Sequence, residues 1–378
     1  MPASSTNWGD SGLTDVHDYQ YYVNAIGTGQ FSGVVVGTSR TLDTWPAAPA
    51  RVKHLVIMGD SFTGQGADAY TGNGTCRRAW HSYPMLKDPL DPQPLLTYQD
   101  FGQSRIDYIA CAGARTDNVG DGIPPANGDP QYYDVFPNLP PSRLQAHLEA
   151  YTSTDLGVYG SYTNDVYTLA PDLQVTMLRR ANAQMPVDMV VLSVGGDDMR
   201  FANVLTYCST NDSGGNDPCG TTAQGSFYSH LKAQIDGTAF RSRLTSTYRE
   251  VLQNSSDAKV LVVGYPYLFP HAIPGINSDD CGVTAAAETL GYHLSTADMD
   301  MLDTATDELD SVISSAVQTV GSRLIFIDPR SPFLGHDMCA SDHWIHNIYG
   351  DLSGPKDSAH PNQNGYTNGF LPLAEAQL

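Results

Sequence analysis

Five short apolar, β-branched runs recur along the chain, with helical or loop-like sequence between them. They are His54-Leu55-Val56-Ile57-Met58, Ile106-Asp107-Tyr108-Ile109-Ala110, Met189-Val190-Val191-Leu192-Ser193-Val194, Val260-Leu261-Val262-Val263 and Leu324-Ile325-Phe326-Ile327. Unbroken apolar runs, in place of in-out alternation, are what strands covered on both faces of a parallel sheet require. Helical periodicity is clear from about Thr296 to Val320, where Met301, Leu302, Leu309, Val312, Ile313 and Val317 share a stripe, and from about Phe240 to Leu252. Shorter helices are expected from Ser142 to about Ala150 and from Leu173 to Ala183. Strands alternating with helices predict an α/β fold, a three-layer α/β/α sandwich around a central parallel sheet.

Two regions exceed a minimal sandwich. Residues 1–50, with Tyr19, Tyr21, Tyr22 and several glycines, are expected to form an arm or small sheet packed on the main domain, which then runs over 51–378. The stretch from Arg115 to about Pro171 is rich in Gly, Pro, Asn, Asp and Tyr, too long for an ordinary connection, and reads as an insertion forming a lid, a rim or a subdomain.

Composition narrows the partners. The 378 residues carry 20 Lys+Arg against 41 Asp+Glu, a formal charge of −21, which argues against nucleic acid or an anionic membrane as the main partner. No stretch of about twenty apolar residues is present to span a bilayer. The segment Met1-Pro2-Ala3-Ser4-Ser5 lacks signal-peptide character and resembles a start codon placed on a mature secreted protein. Six cysteines in loop-like sequence suit an oxidising compartment. Of fifteen possible pairings, the sequential one is favoured: Cys76 with Cys111, Cys208 with Cys219, Cys281 with Cys339. No Cys-x-x-Cys spacing supports zinc, and neither the Asp197-Asp198 pair nor His336, Asp337 and His343 matches a metal-ligand pattern. The sequons at Asn73, Asn211 and Asn254 matter only in a host that glycosylates them.

Candidate chemistry begins where the first run ends, at Gly59-Asp60-Ser61, the strand-to-helix position where open α/β sheets place their reactive groups. A serine hydroxyl needs a base, and His360 in Asp357-Ser358-Ala359-His360-Pro361 can supply it, with Asp357 to fix the tautomer. Gly113, in Ala110-Cys111-Ala112-Gly113-Ala114 after the second run, could turn its N–H, with that of Ser61, toward an oxyanion. Gly195-Gly196-Asp197-Asp198 after the third run would complete the ring of loops. Asp60 and Asp198 read as acids that organise these loops.

These segments together resemble the SGNH, or GDSL-type, hydrolase family of esterases and lipases. Gly59-Asp60-Ser61 matches its first block, Gly113 in Cys111-Ala112-Gly113-Ala114 its second, Gly195-Gly196-Asp197-Asp198 its third and Asp357-Ser358-Ala359-His360-Pro361-Asn362 its fifth, in family order. Cys76-Arg77-Arg78 leading to Tyr83-Pro84, Gly335-His336-Asp337-Met338-Cys339, and Trp344-Ile345 resemble the disulfide-linked secreted actinobacterial branch. The likeness covers about 51–113 and 184–370.

The resemblance implies a flavodoxin-like sandwich and cofactor-free ester cleavage through an acyl-enzyme on Ser61. It implies His360 as base, and oxyanion donors from Ser61, Gly113 and position 197. Some relatives of this branch orient the histidine with a backbone carbonyl, for which the segment holding Trp344 is the candidate. Position 197 departs from the family, where Asn normally donates a hydrogen bond; an ionised Asp197 can only accept one. The expectation is a secreted, monomeric esterase or lipase acting on a small-molecule, lipid or acylated-sugar ester. The alternatives are a hydrolase or transferase of acylated sugars, phospholipids or another bond that uses Asp197 as acid or base, and a weakened glycan- or lipid-binding protein.

Overall fold

The computed structural model describes residues 19–23, 35–39, 52–64, 82–85, 105–120, 160–161, 173–211, 219, 227–270, 279–349 and 358–378. The chain divides into two compact units, Met1–Arg51 and Val52–Leu378. In the first, β1 (Tyr19–Val23) and β2 (Val35–Ser39) pair antiparallel, Tyr19 opposite Ser39 and Val23 opposite Val35.

The second unit is built on a six-stranded sheet of β3 (His54–Gly59), β4 (Arg105–Tyr108), β5 (Gly160–Ser161), β6 (Met189–Ser193), β7 (Lys259–Val263) and β8 (Leu324–Ile327), ordered β5-β4-β3-β6-β7-β8. Five strands are parallel, in the order 2-1-3-4-5 when counted alone. All of β3 and β6 is buried, as their unbroken apolar composition requires. The short β5 pairs antiparallel with β4. Two residues of the 115–171 region, Gly160 and Ser161, thus extend the sheet edge.

The helices are α1 (Ser61–Gly64), α2 (Thr116–Val119), α3 (Gln174–Gln184), α4 (Phe201–Asn211), α5 (Phe227–Ile235), α6 (Thr238–Asn254), α7 (Ala285–Thr289), α8 (Thr296–Val320), α9 (Arg330–Phe333) and α10 (Leu371–Glu375), with a π-helical turn over Gly365–Phe370 before α10. The long α8 starts at Ser295, whose hydroxyl accepts the Asp298 N–H, and stops at Gly321, whose φ of +150° suits a residue without Cβ. Its buried stripe contains the expected apolar residues and also Asp303 and Asp310. These two carboxylates, two turns apart on one face, accept backbone N–H groups from the segment after β7: Asp303 accepts those of Leu268 and Phe269, and Asp310 that of Tyr265. The helix expected over Ser142–Ala150 lies outside the described residues.

Across the sheet, β3 is followed by β4 on one side and β6 lies on the other. The crevice between the carboxyl ends of β3 and β6 is thus a topological switch point, where α/β sheets bind ligands. Near the opposite end of β3, His54 and Asp107 are fully buried and paired, Nε2 to Oδ2 at 2.7 Å, while His54 Nδ1 lies 2.9 Å from the Met185 carbonyl. A carbonyl only accepts, so Nδ1 carries a hydrogen.

Candidate active site

Gly59 ends β3 with φ of +95°, and a Cβ there would sit 2.1 Å from the Ser193 carbonyl oxygen, so the close approach of β3 and β6 requires glycine. The Gln174 side chain brackets the same residue, accepting its N–H at 2.7 Å and donating to its carbonyl at 2.9 Å. The Asp60 N–H then donates to the Ser193 carbonyl, and the Ser193 N–H to Thr63 Oγ1. Ser61 follows as the first residue of α1, 7% exposed.

The loop after β4 is laid against this turn by the Cys111 N–H donating to the Gly59 carbonyl at 2.9 Å. Gly113 in that loop has φ of +83°. The loop after β6 joins it through Asp198, which accepts both the N–H and the hydroxyl of Thr116, at 2.9 and 2.6 Å, with Arg243 Nε 3.8 Å away. Asp60 accepts the Phe62 N–H and the Tyr265 hydroxyl. Asp60 and Asp198 thus tie the loops together, the part the sequence assigned them.

His360 arrives from the other end of the chain. Its Nε2 lies 2.7 Å from Ser61 Oγ, and its Nδ1 lies 2.9 Å from the carbonyl of Ser358. Because that carbonyl is an acceptor, Nδ1 bears the hydrogen and Nε2 presents its lone pair to the serine hydroxyl. The contact with Ser358 depends on Ala359, a buried residue held at φ of +61°, a left-handed conformation that L side chains rarely adopt. The Phe62 ring stacks on the imidazole with centroids 5.0 Å apart, and Phe201 meets it edge-on at 6.5 Å. In the segment holding Trp344, which was to offer an orienting carbonyl, the Trp344 carbonyl accepts the Asn362 N–H; the tight turn at Ala359 brings the Ser358 carbonyl to Nδ1. Asp357 lies outside the described residues.

Asp197 follows Gly196 in the loop after β6 and is partly exposed. Burial first, then the charge of Asp198, pushes its carboxyl up to about 7, against the pull of Arg115. Asp198 is pushed up to about 6 by burial and by Asp117, against its Thr116 and Arg243 contacts. Burial, and secondly the charge of Asp197, holds Asp60 well above the usual carboxylate range.

Disulfides join Cys208 with Cys219 and Cys281 with Cys339. Cys111 is disulfide-bonded, and Cys76 lies outside the described residues. Cys208 sits within α4. His336 stacks on Trp344 at 3.8 Å and faces the Asp342 carbonyl, while Asp337 accepts the Cys339 N–H. Among the described residues no group of three or more His, Cys, Asp or Glu could hold a metal ion. Neither Tyr265 nor Phe62 was legible as part of the site beforehand, since neither belongs to a recognisable spacing.

The model of the GDSL-like lipase/acylhydrolase family matches residues 116–367, two-thirds of the chain. The chain belongs to that family. It is an ester hydrolase of the GDSL type. The matched span begins after Ser61, so the first block rests on the residues themselves and on their position after β3. The hydrolase is similar to Lipase 1 of Streptomyces coelicolor, 24% identical over 86% of this chain and 87% of that protein. Among solved structures it resembles an extracellular lipase of Streptomyces rimosus and a phospholipase A1 of Streptomyces albidoflavus. Each is 23% identical with a TM-score of 0.53, and the match covers 86% of this chain and all of the other. These two likenesses speak for the shared fold.

Proposed function

We propose that this hydrolase is a secreted esterase or lipase that cleaves carboxylic esters through an acyl-enzyme on Ser61, with His360 as general base and then general acid. The observation that carries this reading is the 2.7 Å contact between His360 Nε2 and Ser61 Oγ, with Nδ1 held on a carbonyl acceptor. In the first half-reaction Nε2 takes the hydroxyl proton as Oγ bonds to the ester carbonyl carbon. The tetrahedral oxyanion collapses, and the imidazolium returns the proton to the departing alcohol. In the second half water replaces the alcohol: Nε2 takes its proton, its oxygen attacks the acyl carbon, and the carboxylic acid leaves as Oγ regains the proton. Asp357 and the Ser358 carbonyl orient the imidazole.

The N–H groups of Ser61 and Gly113 form the oxyanion site, with Asp197 in its neutral form as third donor. A carboxyl held near pH 7 is substantially protonated in mildly acidic solution, which supports a carboxylic acid standing where the family carries an amide. Secretion is supported by the disulfides and by the likeness to an extracellular lipase. The acidic surface favours a neutral lipid or small ester over nucleic acid, acting as a monomer. Residues 1–50 are an accessory arm, and 115–171 contribute a rim beside the sheet edge that β5 extends.

The test is turnover of a p-nitrophenyl ester series, acetyl to palmitoyl, by wild type and Ser61→Ala, with mass spectrometry of the fluorophosphonate adduct. The reading expects an adduct on Ser61 and loss of nearly all activity in the variant. Turnover retained by Ser61→Ala, or an adduct elsewhere, overturns it.

A further inference from the structure

Tyr265, the second residue after β7, is 5% exposed and belongs to none of the family's sequence blocks. Its hydroxyl accepts the Gly196 N–H at 2.8 Å and lies 2.5 Å from Asp60 Oδ2. A backbone N–H can only donate, so the phenolic proton has one direction left, toward Asp60. Asp60 Oδ1 in turn accepts the Phe62 N–H at 2.9 Å. A polarised chain therefore runs from the residue before Asp197, through one phenol, to the residue before Ser61.

The ring has a second task. Its edge meets Phe62 with centroids 5.0 Å apart at 80°, and Phe62 stacks on the imidazole of His360. The other side faces Gly196, where a Cβ would come within 3.0 Å of Cε1 and Cζ. Behind it, the Tyr265 N–H is fixed on Asp310 of α8. The serine loop and the oxyanion loop abut one side chain, which reaches the histidine ring through Phe62 and is itself anchored to the longest helix of the described residues.

We infer that Tyr265 is a positioning residue of the reaction: it sets the spacing of the Ser61 and Asp197 loops, and the seat of His360, without touching the ester. This rests on the Ser61 acyl-enzyme reading. A group that aligns reacting atoms shows in turnover more than in ground-state affinity, since misplacement of about 1 Å can cost about a hundredfold in rate.

The test is steady-state kinetics on a soluble ester with Tyr265→Phe, Asp60→Asn and the double variant, each checked for a cooperative thermal transition, beside Ser61→Ala. Phe keeps the ring and removes both hydrogen bonds. An Asn at position 60 cannot accept from the phenol and the Phe62 N–H together. The expected result is a fall in kcat of about 10- to 100-fold in each single variant with KM within about twofold, and a double variant little worse than either, because one chain is broken twice. A folded Tyr265→Phe protein with wild-type kcat, a loss carried by KM alone, or fully additive losses would overturn the inference while Ser61→Ala stays dead. Activity surviving in Ser61→Ala overturns the acyl-enzyme reading and this inference with it. If Tyr265→Phe fails to fold, the same split in Asp60→Asn decides.

Discussion

Replacing Asp197 by Asn gives position 197 a permanent amide donor, and the structure fixes what should follow. The carboxyl is pushed up to about 7 by burial and by Asp198, with Arg115 pulling the other way. Only its neutral form can donate to an oxyanion. At pH 9 about one molecule in a hundred keeps that proton, so turnover of the wild type should fall about a hundredfold from its value below neutrality, equivalent to about 2.7 kcal/mol. Loss of one oxyanion donor costs about 100- to 1,000-fold, so the donor is worth enough for the decline to be seen. Asp197→Asn should lose the decline and keep only the acid limb, which arises because His360 must be unprotonated to accept the serine proton. The assay is kcat/KM on one soluble ester from pH 5 to 9 for both proteins. A wild-type rate level from pH 7 to 9, or an unchanged decline in Asp197→Asn, refutes the reasoning. Stability supplies a second reading of the same group. Its folded value of about 7 stands above the ordinary 3.8, so the fold favours the neutral form. That contribution is full below about 3.8 and is lost as pH rises through about 7, at most about 4 kcal/mol. The Asn variant should therefore gain in Tm relative to wild type at pH 8 and gain little at pH 4.

Two further outcomes follow from the scaffold. Asp107→Ala or His54→Ala breaks a fully buried pair and should cost about 3–5 kcal/mol in urea unfolding; a double variant as unstable as the two losses summed would show that they do not act as a pair. Cys281→Ser with Cys339→Ser opens a loop with a sequence separation of 58, worth about 4 kcal/mol by chain entropy, and an unchanged urea midpoint would refute that contribution.

The sheet was readable because strands sealed on both faces carry unbroken apolar runs, and α8 because its stripe is long enough to fix the period. The shorter α4 and α5 escaped notice: α4 runs into an Asn-, Asp-, Ser- and Gly-rich stretch that reads as loop, and nine residues make a weak period in α5. Polar positions inside buried surfaces were harder still. Asp303 and Asp310 interrupt an apolar stripe to hold backbone amides of a segment more than thirty residues earlier, a partnership no local pattern encodes. Ser61, His360, Gly113 and Asp197 stood out as blocks of known order, whereas Tyr265 is one tyrosine among twenty-one and gains its place only when β6 and β7 lie side by side. The carbonyl that faces His360 Nδ1 could not be read because it depends on one backbone angle at Ala359.

Ser61 and His360 meet across 299 positions of chain. At about 5–20 residues per second of synthesis, the serine emerges about 15 to 60 seconds before the histidine exists. On the acyl-enzyme reading proposed above, the nascent hydrolase has through that interval a hydroxyl and no base. On the same reading, its onset of activity also reports that β8 and the closing turn at Ala359 have found their places, and a chain cut short before His360 would be inert.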